Sequence, residues 1–98
     1  MVERYIEMFD GTESGEKELL LKTNVAMLKI EVIGSGTLSL TAMLDRDSNK
    51  QVLGAIKSDT FATTVALSSG LYTVEVSGYY KVFFTLSGNA TVNVKTIC

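Results

Sequence analysis

Apolar and polar residues alternate with a period of two along most of this chain, and that alternation predicts short β-strands. It is clearest from Ser69 to Val94. Tyr72, Val74 and Val76 alternate with Thr73, Glu75 and Ser77. Tyr80, Val82, Phe84 and Leu86 alternate with Tyr79, Lys81, Phe83 and Thr85, and Val92 and Val94 with Thr91 and Asn93. A strand turns successive side chains to opposite faces, so each set supplies one core face and one outer face. Ser-Gly pairs separate the three strands and suit tight turns.

Upstream, Ala26, Leu28, Ile30 and Val32 make one inward row, and Leu38, Leu40, Ala42 and Leu44 make a second. Gly34-Ser35-Gly36 lies between them, which predicts a β-hairpin over 24–45. Residues 45–50 (DRDSNK) form a polar hairpin tip. Residues 51–57 predict a strand weakened by Gly54. Residues 60–67 predict another, with Phe61, Thr63, Val65 and Leu67 in one row. Near the N-terminus, residues 2–9 predict a strand with Val2, Ile6 and Met8 on one face and Tyr5 and Phe9 on the other, neither face clean. A polar loop over 10–17 follows. The segment 17–22 (KELLLK) reads as a strand, or as one helical turn capped by Ser14; strand is preferred because everything after it is β. No segment carries a helical period. Seven to nine strands, with turn signals roughly every 8–12 residues, predict an all-β fold: an antiparallel β-sandwich, jelly-roll-like.

Composition narrows the function classes. The 98 residues make one domain, 1–98. A net charge of −2 offers no positive field for nucleic acid or an anionic membrane. Apolar runs fall short of the roughly 18 residues of a membrane span. Acidic residues inside the first apolar pattern argue against a signal peptide, so the chain is expected to be made in a cytoplasm. Charge is uneven: residues 1–24 hold six acids and three bases. The segment 1–22 is therefore a candidate anchoring segment for a partner. Cys98, the only cysteine, has no internal disulfide partner.

Candidate chemistry is sparse. The chain has no histidine, the usual near-neutral base and commonest metal ligand. An enzyme is not expected, and no catalytic residue, cofactor or metal ligand stands out. Asp45, Asp47 and Asn49 open a calcium-loop pattern. That pattern fails at Lys50, where glycine is required, and at Ile56, where the bidentate glutamate belongs. Tyr79 and Phe83 face outward around Lys81 on a sheet face that is less polar than water favours. They suit a sugar, a neighbouring subunit or cover from within, for instance by Tyr5 and Phe9. Tyr5, Phe9, Tyr79, Lys81 and Phe83 are the candidate interface residues.

Gly70, Tyr72, Val74, Val76 and Gly78, followed by Lys81-Val82-Phe83-Phe84, Ser87-Gly88 and Thr91-Val92-Asn93-Val94, resemble a β-sandwich module of tailed-bacteriophage and prophage virion proteins. Gly36-Thr37-Leu38-Ser39-Leu40 and the tip at 45–50 are similar to the same module's upstream hairpin. Arg46-Asp47-Ser48 replaces its glycine turn, and the aromatic after the tip is missing. The likeness spans about residues 25–95. It implies a non-enzymatic virion structural protein, foremost a capsid decoration or accessory protein that stabilises the head. The alternative it implies is a tail or baseplate component with a carbohydrate- or host-surface-binding face. Its implied partners are copies of itself in a homo-oligomer and other virion proteins, the major capsid protein above all. The implied location is the virion, assembled in the host cytoplasm.

Overall fold

The computed structural model describes residues 5–21 and 25–97. The expected positions Val2, Lys22, Asn24 and Cys98 lie outside them. Among the described residues ten strands form, in chain order: β1 (Tyr5–Asp10), β2 (Gly15–Leu20), β3 (Met27–Gly34), β4 (Thr37–Met43), β5 (Gln51–Val52), β6 (Ala55–Lys57), β7 (Thr63–Thr64), β8 (Gly70–Glu75), β9 (Lys81–Ser87) and β10 (Ala90–Ile97). Three of them are only two or three residues long, which takes the number past the seven to nine expected. The strands make two antiparallel sheets, β1-β10-β3-β8-β6-β7 and β2-β9-β4-β5.

The inward rows read from the alternation close the core between the sheets. Leu28, Ile30, Val32, Tyr72, Val74, Val92 and Val94 come from the first sheet; Leu38, Leu40, Ala42, Val82, Phe84 and Leu86 come from the second. Each large apolar side chain taken out of water contributes about 1.5–3 kcal/mol before entropy is subtracted.

The connections differ from expectation. β3 and β4 are not a hairpin. β3 pairs with β10 and β8, while β4 pairs with β9 and β5 in the other sheet. Gly34-Ser35-Gly36 therefore carries the chain across the core. Residues 51–57 are likewise two strands, broken at Leu53-Gly54, with β5 in the second sheet and β6 in the first. The row over 60–67 fails as well. Only Thr63 and Thr64 are extended, and of its apolar residues Leu67 alone is buried, bridging Leu38. Leu44, expected inside, is exposed past the end of β4, and Tyr80 is only half-buried.

In β1 the pairing with β10 shifts register between Glu7 and Phe9. This β-bulge reverses the phase of the strand. Ile6 and Phe9 then oppose Val94 and Val92 on the same inward side, and Met8, the extra residue, is buried too. The bulge explains why neither face of this strand looks clean. It also moves Phe9 from an expected outer face into the core, where it is 1% exposed.

Two crossovers meet at one end. Gly34 of β3 pairs with Ala90 of β10, and Thr37 of β4 pairs with Ser87 of β9. A Cβ on Gly36 would stand 3.0 Å from Leu86 Cδ1 and from the Ser87 carbonyl, and one on Gly88 would stand 3.2 Å from Gly36 Cα. The two backbones touch where side chains would sit. Gly36→Ala is expected to cost about 1–3 kcal/mol through this overpacking. Gly78→Ala meets nothing within 4 Å and has only its positive φ of 89° to overcome, so it is expected to cost about 1 kcal/mol. Urea denaturation of both variants checks the order.

Candidate interaction surface

The outer face of the second sheet is built around Phe83. Cross-strand pairing sets Glu18, Phe83, Thr41 and Val52 in one row across β2, β9, β4 and β5. Phe83 faces outward, as the alternation requires, yet it is only 7% exposed. Its cover is cationic. The Lys50 ammonium, from the polar tip, lies 4.0 Å from the ring centroid and 3.6 Å from Glu16 Oε2 on the far strand. Lys81 lies 5.8 Å from the same ring and pairs with Glu18 at 3.2 Å. An ammonium is drawn to the electron-rich ring face, and its aliphatic stem shields apolar surface from water. Thr85 Oγ1 donates to Glu16 Oε2 at 3.3 Å, which holds the carboxylate that Lys50 reaches for.

The five candidate residues fall into separate settings. Lys81 and Phe83 share the face just described. Tyr79 is half-buried against the core in the β8–β9 connection, its amide donating to the Val76 carbonyl. Phe9 is inside the core. Tyr5 stands on the outer face of the other sheet, opposite Lys95, and is 70% exposed. Tyr5 and Phe9 therefore do not cover Phe83.

Three of the six acids of the N-terminal segment have lysine partners. Glu13 pairs with Lys17, Glu16 with Lys50 and Glu18 with Lys81. Such exposed pairs each contribute about 1 kcal/mol or less. Asp10 Oδ1 accepts from the Thr12 hydroxyl at 2.5 Å and from the Thr12 amide at 2.9 Å. The hydroxyl bond first, then the amide bond, holds the Asp10 carboxyl below the ordinary aspartate value.

The segment joining β4 to β8 leaves apolar residues exposed that the alternation concealed, Val52 on the outer face of the second sheet and Ile56 on that of the first. Leu44, Val52, Ile56, Phe61 and Val65 are all exposed there. Phe61 is 80% exposed and holds a left-handed backbone, with φ 58°. The turn is tied down by Phe61 N–H to the Lys57 carbonyl at 2.8 Å and Lys57 N–H to the Ala62 carbonyl at 2.9 Å. The polar run Ser58-Asp59-Thr60 was the available signal that a turn, not a strand, precedes Phe61. Among the described residues no three His, Cys, Asp or Glu side chains gather as a metal site. The polar tip is closed by its own bonds: Ser48 N–H and Oγ both reach the Asp45 carbonyl.

Solved structures share this fold. The SPBc2 prophage-derived protein YomS matches with a TM-score of 0.73 at 16% identity, over 100% of this chain and 96% of its own. The PBSX exported protein XepA matches with a TM-score of 0.82 at 14% identity, over 97% of this chain and 37% of its own. The fold is shared with prophage proteins. This chain therefore spans nearly the whole of YomS but well under half of XepA. No family model and no curated protein matches the sequence.

Two measurements test the surface. Lys50→Ala is expected to lower stability by about 1 kcal/mol and to raise the exposure of Phe83, read by urea denaturation and aromatic NMR shifts. Thr12→Val is expected to raise the Asp10 titration midpoint towards the ordinary value. A lowered folded value means that the Thr12 bond stabilises the fold above the unfolded midpoint. Its contribution is lost as pH falls through the folded one. Carboxyl-detected NMR of both proteins reads the change.

Proposed function

We propose that this protein is a non-enzymatic structural protein of a phage or prophage particle, acting as a capsid decoration or accessory protein that stabilises the head. The observation behind the phage or prophage part of this reading is the match with the prophage protein YomS, over 100% of this chain and 96% of its own. Its supports are the absence of histidine from the sequence and a surface better suited to contact than to catalysis.

In this reading the protein assembles with copies of itself and docks on the major capsid protein. It does so through the turn that presents Phe61 rather than through residues 1–22. That N-terminal stretch includes β1 and β2, which are edges of the two sheets, and Phe9, which fills the core. Deleting it would test folding, not docking. A sugar platform on Tyr79, Lys81 and Phe83 has little support, because lysines close the Phe83 ring.

Phe61 is the expected anchor. A large aromatic held out in water on a left-handed backbone costs stability and gains nothing until it is buried by a partner. Phe61→Gly is therefore expected to keep or raise the melting temperature while weakening head binding about tenfold or more. Tagged protein added to separated heads and tails, followed by sedimentation and immunogold microscopy, checks the location. Label on heads, with greater resistance of the heads to heat, is the expected result. Label on tails alone would overturn the decoration role.

A further inference from the structure

The outer face of the first sheet carries a second feature that no assembly role requires. Two cross-strand rows run side by side across it. One is Tyr5, Lys95, Lys29 and Thr73; the other is Glu7, Asn93, Glu31 and Leu71. Between them lies a depression of about 200 Å³, lined by Tyr5, Lys29, Glu31, Leu71, Asn93 and Lys95. Five of the six side chains stand on β3, β8 and β10, strands paired on both sides, and Tyr5 stands on the edge strand β1 opposite Lys95, so the cross-strand register fixes their spacing.

We infer that this depression is a binding site for a neutral pyranose unit of a glycan. Its polar groups are already oriented by bonds within the face. Asn93 Nδ2 donates to Glu31 Oε1 at 3.2 Å, and Lys29 Nζ donates to Thr73 Oγ1 at 2.9 Å. Those bonds leave the second Glu31 oxygen and Asn93 Oδ1 as acceptors and further Lys29 protons as donors. Neighbouring sugar hydroxyls both donate and accept, and an acceptor-and-donor set of this kind satisfies such a pair. The exposed Tyr5 ring and Leu71 offer apolar surface to the C–H face of the sugar.

Charge selects the class of sugar. Lys29 and Lys95 are offset by Glu31 in the depression and by Glu7 beside it in the same row as Asn93. A carboxylated sugar or a phosphate would gain from the lysines and lose against the carboxylates; a neutral ring meets no such opposition. The inference does not depend on the head-decoration reading, because it holds for a head protein and a tail protein alike.

NMR titration of the full chain tests it. The probes are methyl α-glucopyranoside, methyl α-galactopyranoside and N-acetylglucosamine, with glucuronate and inorganic phosphate as charged comparisons. At least one neutral sugar is expected to bind at roughly millimolar affinity, shifting amides of β1, β10, β3 and β8. Tyr5→Ala and Glu31→Gln are each expected to weaken that binding about tenfold, with melting temperatures unchanged because both side chains are exposed. Four results would overturn the inference: no shift with any neutral sugar, tighter binding of glucuronate or phosphate, shifts confined to the sheet around Phe83, or full binding by both variants. Each of these leaves the location of the protein on heads untouched.

Discussion

The backbone contact between Gly36 and Gly88 is the constraint around which the sandwich is arranged. At this end β3 passes to β4, and β9 passes to β10, each leaving one sheet for the other. Because both crossings occupy the same small space, the β3/β10 pair is stacked over the β4/β9 pair. Those are the longest pairings in their respective sheets, spanning Met27 to Gly34 and Thr37 to Met43. A slip of one residue in either ladder would turn its whole apolar row to water, so the crossing that sets their ends also sets which residues form the core. The chain also crosses between the sheets at two other links: residues 11–14 between β1 and β2, and Leu53-Gly54 between β5 and β6. At the first of these Lys17 reaches from β2 to within 5.0 Å of the Phe9 ring in the opposite sheet.

The inward rows of β3, β4, β8, β9 and β10 were legible because burial imposes a period of two on any strand with one wet face. Whether neighbouring strands pair with each other was not legible. A hairpin and a crossover both present alternating residues on either side of a short glycine turn, and only the partners differ. Gly34-Ser35-Gly36 is compatible with both. Period-two reading also fails where one residue is inserted, as at Met8, and where alternation occurs by chance, as from Phe61 to Leu67. In that last stretch a polar triplet outweighed the pattern.

Of the candidate site, the outward aim of Lys81 and Phe83 was visible in their own strand. The Lys50 cover was not, since it depends on a hairpin tip folding back over three strands, a contact that no local pattern records. Tyr5 was picked out as an interface residue, but its neighbours Lys29, Glu31, Leu71, Asn93 and Lys95 come from three other strands. Only the strand order brings them together. The result is two outer faces of different character: one sealed by lysines lying over an aromatic ring, the other open and lined by mixed groups.

The bulge in β1 has an outcome beyond packing. This strand lies at the border of the larger sheet, and an unpaired border is a template for recruiting further chains. An extra residue there bends the strand and interrupts its regular ladder of unused donors and acceptors. Copies of the chain are thereby hindered from zipping edge to edge into fibrils.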